Sequence, residues 1–210
     1  MQLLSSDLSP YSTRVRILVR KYGLPIEIVA PDLPLRTPEF LAKYPLGKIP
    51  VLVLDNGQQI PESWAIMSFL EQTYSLVERS PLEQARINTW VRYADLHLAP
   101  AVFGLFAGLL RGEATNTEAE IAAIKAQLAK GNALLAQDPE LTDRPVDIAD
   151  IAVAPVMFFV LATPKAMGLD LQLQDYPLLH QWWQKAQADA DIAQGLQEVE
   201  NAFAKFTAPK

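Results

Sequence analysis

The spacing of apolar residues changes several times within the first 75 positions, and each change marks an element. Met1 to Ser5 is a short apolar run that reads as a strand. From Pro10 to Tyr22 the residues Val15, Leu18, Val19 and Tyr22 recur at i, i+3, i+4 and i+7. That is the buried stripe of an amphipathic helix, with Gly23 at its C-cap. Ile26 to Ala30 returns to strand character. Thr37 and Pro38 open a short helix as cap and first-turn proline. Val51 to Leu54 is a buried strand, Asp55-Asn56-Gly57 a hairpin turn, and Gln58 to Ile60 its partner strand. Ser63, read as an N-cap, starts a third helix running to Tyr74. The order is βαβαββα, which packs helices on a mixed sheet.

After Tyr74 only helical periodicity is left. Ser80-Pro81-Leu82-Glu83 reads as a capping box at the head of a long stretch to about Arg111, with a kink expected at Pro100. Thr117 to Glu120 reads as a second capping box, opening a helix to about Gln137. Asp147 and Asp150, a carboxylate pair at i, i+3, read as the cap and first turn of a third helix rather than as acid–base chemistry. Further helices are expected from Asp175-Tyr176-Pro177 and from Asp191. The division predicted is therefore an α/β domain over 1–75, a linker over 76–80 and an all-helical bundle over 81–210.

Composition narrows the chemistry. The net charge of −6 argues against a general nucleic-acid surface, which needs clustered Lys and Arg. The chain has no cysteine, which excludes disulfides, thiolate metal sites and a cysteine nucleophile. His97 and His180 stand far apart with no ligand spacing, so no metal is expected. No apolar run reaches membrane-span length by eye; the longest, near Ile148 to Ala162, is broken by Asp150 and Pro155. With no secretory pattern at the N-terminus, a cytoplasmic protein without membrane or nucleic-acid partners is expected.

Four segments carry more than folding information: Ser9-Pro-Tyr-Ser-Thr-Arg-Val-Arg, Pro45-Leu-Gly-Lys-Ile-Pro-Val-Leu, Glu62-Ser63 with Ala65-Ile66 behind it, and Asp147-Ile-Ala-Asp-Ile-Ala-Val-Ala-Pro155. In this order and at this spacing the chain resembles a cytosolic glutathione transferase, over nearly its whole length. The first segment is similar to the serine-type zeta and cysteine-type omega classes and their bacterial relatives, and Gly-Lys-Ile-Pro to theta-type sequences. The resemblance implies a thioredoxin-like N-terminal domain, an all-helical C-terminal domain, a homodimer, and glutathione as co-substrate.

It also implies roles. Ser9 alone reads as a helix N-cap; in the family's catalytic position it is the hydroxyl that donates to the glutathione thiolate. Ser12 stands where a dithiol motif has its second cysteine and is a second contact. Tyr11 is a pocket wall or plain packing, and Ser5 and Ser6 are fallback donors. Ile49-Pro50 is expected to be cis and to offer the Ile49 backbone to the cysteinyl unit. Lys48 reaches for the glycine carboxylate, a contact some relatives make with a lysine where Thr37 stands and which Arg36 could replace. Glu62 takes the α-ammonium and Ser63 the γ-glutamyl carboxylate. On the long helix, Trp90, Tyr93, His97, Phe103 and Phe106 read as core, dimer surface or second-substrate pocket, with His97 packed. At least one of Trp182 and Trp183 should be core. The activity implied is transfer of glutathione sulfur to a small, mostly hydrophobic electrophile, as in detoxification. The alternative is a non-catalytic regulatory protein of the same fold, resembling the stringent starvation proteins and acting through a protein partner.

Overall fold

The computed structural model describes residues 1–111, 116–169 and 171–208. The chain forms two compact units, one of Met1–Arg79 with Asp191–Lys210 and one of Ser80–Ala190.

In the first unit the strands are β1 (Gln2–Leu4), β2 (Glu27–Val29), β3 (Val51–Val53) and β4 (Gln59–Pro61), in sheet order β2-β1-β3-β4. β1 runs parallel to β2 and antiparallel to β3, and β3 pairs antiparallel with β4. The thioredoxin-like mixed sheet expected from the sequence is therefore present. Side chains alternate across it. Leu4 and Val51 face one side with Phe40 and Tyr44. Leu3 and Leu52, fully buried, face the other.

Helix α1 (Pro10–Lys21) and helix α3 (Ser63–Thr73) pack against each other. α1 ends in a Schellman motif: Gly23 has φ +58°, its N–H bonds the Arg20 carbonyl, and the Leu24 N–H bonds Val19 at 2.9 Å. α2 (Pro38–Lys43) starts as predicted, the Phe40 N–H donating to Thr37 Oγ1 at 3.2 Å. Ser63 is not the cap of α3. Glu62 holds that position, without a side-chain cap bond, and Ser63 is the first helical residue. The reason is that β4 extends to Pro61, leaving Glu62 alone to turn the chain.

The last helix, α10 (Ala190–Thr207), carries its own apolar stripe of Ile192, Leu196, Val199 and Phe203, all buried. The sequence reading assigned residues 191–210 to the helical bundle; the structure groups them with the sheet. Gly195 explains the fit, because it brings the backbone of α10 against Ile17 of α1.

The second unit holds α4 (Pro81–Tyr93), a π-helical turn at Ala94–Leu98, α5 (Ala99–Arg111), α6 (Thr117–Gln137), α7 (Glu140–Asp143), α8 (Ile148–Ala166), a 3₁₀ turn at Leu173–Asp175 and α9 (Pro177–Ala188). The break predicted at Pro100 lies one turn earlier. A proline ring clashes with the carbonyl four residues back, here Leu96, at the centre of the π turn. The cap of α6 is Asn116, whose Oδ1 accepts the Ala119 N–H at 3.2 Å, so Thr117 is not the cap. Both other capping boxes form as predicted.

α8 is the buried centre of this unit, and Trp90 and Trp182 meet beside it edge to face at 5.4 Å. Contrary to the sequence reading, two stretches, Pro81–Arg111 and Ile148–Ala166, are long and apolar enough to cross a membrane. The apolar character of the second is accounted for by packing, since most of it is buried inside the unit.

Candidate functional site

One row of the sheet organises the candidate residues. Leu4 of β1 stands opposite Val51 of β3, and Val51 stands opposite Pro61 of β4. Each neighbouring residue beyond that row leaves the sheet at the same end. After Leu4 the chain passes through Ser5 and Ser6 to Ser9. Before Val51 stand Lys48, Ile49 and Pro50. After Pro61 come Glu62 and Ser63. Three segments separated by tens of residues thus open from one end of the sheet, where α1 and α3 both have their N-termini.

Ser9 is the N-cap of α1, and its Oγ accepts the Ser12 N–H at 3.2 Å. That bond uses a lone pair and leaves the hydroxyl hydrogen for a ligand. The twelve-residue helix adds the positive end of its dipole at the same place. Ser12 is fully buried, and its Oγ has no hydrogen-bond partner among the described residues. Tyr11 is half-buried, with the Arg14 guanidinium 4.9 Å above its ring. Ser5 is buried, and its hydroxyl accepts Arg16 at 2.8 Å.

The Ile49–Pro50 bond is cis, as expected; Pro50 is buried, Ile49 half-buried and Lys48 exposed. Thr37 is committed to capping: it accepts from Phe40 and donates to the Pro34 carbonyl at 3.1 Å. Glu62 is exposed and adopts φ +69°, a left-handed conformation that costs a residue with a side chain roughly 1–3 kcal/mol. Ser63 is buried in the first turn of α3, where helix N–H groups lack intrahelical acceptors. The site thus combines two helix N-termini, three hydroxyls, one exposed carboxylate and one exposed ammonium. That set suits a small zwitterionic ligand with several carboxylates. Among the described residues no cluster of His, Asp and Glu gathers to hold a metal ion.

Two residues that the sequence reading passed over complete the picture. Arg16 is buried beneath the β1–α1 loop and donates to the Ser6 carbonyl at 3.0 Å and to Thr13 Oγ1 at 3.1 Å. Thr13 Oγ1 in turn donates to the Ser9 carbonyl at 2.9 Å. Nothing in local periodicity distinguishes this arginine from one facing solvent.

In the second unit Trp90 and Tyr93 are core, stacked at 5.1 Å, and both Trp182 and Trp183 are buried. Trp90 and Tyr93 are therefore core rather than free surface. His97, expected to be packed, is exposed and lies over the ring of Tyr93 at 6.5 Å. It lines an open cleft of about 630 Å³ together with Arg92, Lys130 and Gln137. The large apolar side chains left exposed on this stretch include Leu82 and Leu96.

Known proteins resemble this chain in sequence and in fold. Residues 3–80 match the family described as "Glutathione S-transferase, N-terminal domain". The chain is 26% identical to glutathione S-transferase U2 of Arabidopsis thaliana over 188 residues, 87% of this chain and 81% of that one. Its fold is similar to the Tau class glutathione S-transferase of mango, Mangifera indica, with TM-score 0.77 and 24% identity over 99% of this chain and 98% of that one. It is also similar to a glutathione transferase family member from Pseudomonas fluorescens Pf-5 with bound glutathione, with TM-score 0.72 and 24% identity over 92% of this chain and 97% of that one. The Tau class of the mango protein is not among the zeta, theta and omega classes anticipated from the first two motifs.

Proposed function

We propose that this chain belongs to the glutathione S-transferase family, whose N-terminal domain residues 3–80 match, and is a transferase that activates the glutathione thiol with the hydroxyl of Ser9. The observation carrying the reading is the shared row of Leu4, Val51 and Pro61, which opens the Ser9, Ile49-Pro50 and Glu62-Ser63 segments at one end of one sheet.

In this reading the γ-glutamyl carboxylate docks on the hydroxyl and N–H of Ser63, and the carboxylate of Glu62 takes the α-ammonium. Backbone groups of Ile49 pair with the cysteinyl unit in the manner of an added strand. Lys48 takes the glycine carboxylate. The sulfur then lies at the start of α1. A free thiol ionises near pH ~8.5, so it is mostly protonated at neutral pH. Each pKa unit of lowering needs about 1.4 kcal/mol of preference for the thiolate. A hydrogen bond to a charged group supplies roughly 1.5–3 kcal/mol, and the α1 dipole adds to it. The thiol proton leaves to solvent. The thiolate then forms a carbon–sulfur bond with an electrophilic carbon as a leaving group departs. With an unsaturated carbonyl, the π electrons shift to oxygen and are protonated by water. A mostly hydrophobic electrophile and a homodimer belong to this reading.

The test is the ultraviolet absorbance of the thiolate of bound glutathione as a function of pH, in wild type and in Ser9→Ala. A thiol pKa lowered in the wild type and restored in the variant is expected. Glutathione bound with an unshifted thiol overturns the role of Ser9 and leaves a protein that binds without activating.

A further inference from the structure

We propose that Arg16 of α1 and Glu198 of α10 form a positioning pair that fixes the backbone of Ser9, making the last helix part of the thiol-activating apparatus. The inference rests on the reading of Ser9 as the thiolate donor.

The two peptide groups of Ser9 are both tied to Arg16 through a single intermediate. On one side the Ser9 N–H donates to the Ser6 carbonyl at 3.1 Å, and that same oxygen accepts Arg16 Nη1 at 3.0 Å. On the other side the Ser9 carbonyl accepts Thr13 Oγ1 at 2.9 Å, and Thr13 Oγ1 accepts Arg16 Nη2 at 3.1 Å. Arg16 Nη1 also holds Ser5 Oγ at 2.8 Å. One planar fork therefore grips the loop at Ser5 and Ser6 and the first turn of α1 at Thr13, and Ser9 lies between these grips. Only a guanidinium offers five donors in a fixed geometry.

A buried cation needs a counter-charge. Arg16 is 3% exposed, and Glu198 Oε2 accepts its Nε at 3.2 Å. Glu198 Oε1 bonds Arg20 as well, so one carboxylate of α10 anchors two guanidiniums of α1. Asp7, 3.5 Å from Nη2, is largely exposed to water and is the weaker partner. Without Glu198 the fork has no fixed counter-ion on its Nε side, and its tilt sets the position of both Ser9 peptide groups. Misplacing a reacting group by an ångström can cost about a hundredfold in rate, so such tilts matter.

Charge and geometry make opposite forecasts here. Removing the negative charge of Glu198 leaves more positive potential near α1, which by itself would ease thiol ionisation. Loss of positioning makes ionisation harder. The experiment measures the thiol pKa of bound glutathione by thiolate absorbance in wild type, Ser9→Ala, Glu198→Gln and Arg16→Lys. Asp138→Asn, which breaks the 2.8 Å ion pair with Arg86 in the second unit, is the control for loss of a salt bridge elsewhere. The expected result is a pKa raised by about one unit, tenfold in thiolate fraction, in both Glu198→Gln and Arg16→Lys, and unchanged in Asp138→Asn.

A pKa lowered or unmoved in Glu198→Gln, or wild-type behaviour in Arg16→Lys, overturns the pair while the Ser9→Ala shift leaves Ser9 standing. An equal rise in Asp138→Asn overturns it too, as a general effect of lost stability. No thiol shift in the wild type overturns the Ser9 reading and the pair together. Should Arg16→Lys fail to fold, Glu198→Gln, whose side chain is partly solvated, decides alone.

Discussion

Asp150 accepts the indole N–H of Trp182 at 2.7 Å, and the carboxylate, 1% exposed, simultaneously holds both terminal nitrogens of Arg144 and the backbone N–H of Asp147. Four donors on two oxygens satisfy this buried carboxylate at the core of the second unit. Asp150→Ala strands the indole, the guanidinium and the start of α8 at once. It should destabilise the protein by about 3 kcal/mol or more, seen as a lower urea midpoint. Asp147→Ala, which removes the cap bond to Ala149 at 2.8 Å, should cost about 1 kcal/mol. Neither should change the thiol pKa of bound glutathione. A changed thiol pKa with intact stability would give the pair a chemical role after all.

Ser63 and Ser9 should separate binding from activation. Ser63 does not cap α3, so Ser63→Ala should leave folding almost untouched. It should weaken glutathione binding roughly tenfold, the worth of one hydrogen bond to a carboxylate, without moving the thiol pKa. Titration calorimetry measures the first and thiolate absorbance the second. A moved pKa with unchanged affinity would reverse the two assignments.

Gly195 is needed for contact rather than for a turn. A methyl at this position would overlap Ile17 Cγ1 and lie 2.7 Å from Cδ1, in a side chain with no exposure. Gly195→Ala gains about 1 kcal/mol in helix propensity but overpacks by roughly 1–3 kcal/mol. A net loss of stability is expected, and in a background of Ile17→Ala, which removes Cγ1 and Cδ1, the same substitution should cost less. An additive double variant in urea melts would show that the two residues do not press on each other.

Tyr93 should make the second unit sensitive to alkali. Its hydroxyl donates to the Gln127 carbonyl at 2.8 Å. Burial of the ring pushes the phenol well above its ordinary pKa, an effect the backbone of Gly131 only partly offsets. In the unfolded chain the same phenol ionises near pH ~10. The folded state thus keeps a proton that the unfolded state loses. The stability so gained is complete below about pH 10 and drains away as pH climbs from there toward the folded pKa. Tyr93→Phe should cost about 1 kcal/mol at neutral pH and should flatten this alkaline limb. Parallel limbs in the two proteins would show that Tyr93 does not supply it.

The parts legible in the sequence are those set by short-range chemistry. Ser9 with Pro10, Thr37 with Pro38, and Asp147 with Asp150 each state a helix start through the atoms that satisfy its first N–H groups. Ser63 misled by one position because Glu62 takes a left-handed φ that side chains rarely adopt, so a rule based on ordinary caps slides past it. Pro100 announced a break but not its place, since the clash falls on the carbonyl four residues earlier. The apolar stripe of α10 was legible, but a stripe says only that a face is buried, not which unit buries it. Arg16 and Glu198 lie 182 residues apart, and no pattern along the chain links them.

The first unit begins at Met1 but is not finished until α10, with all of Ser80–Ala190 written between its two parts. On the ribosome, strands and helices of residues 1–79 emerge first and must wait, with Ile17 uncovered and Arg16 lacking Glu198. The second unit is contiguous and can close while the first stands incomplete. Translation therefore delivers the helix that covers Ile17 and pairs with Arg16 only after all of the second unit, and a chain stopped before Asp191 would lack it however well its earlier residues folded.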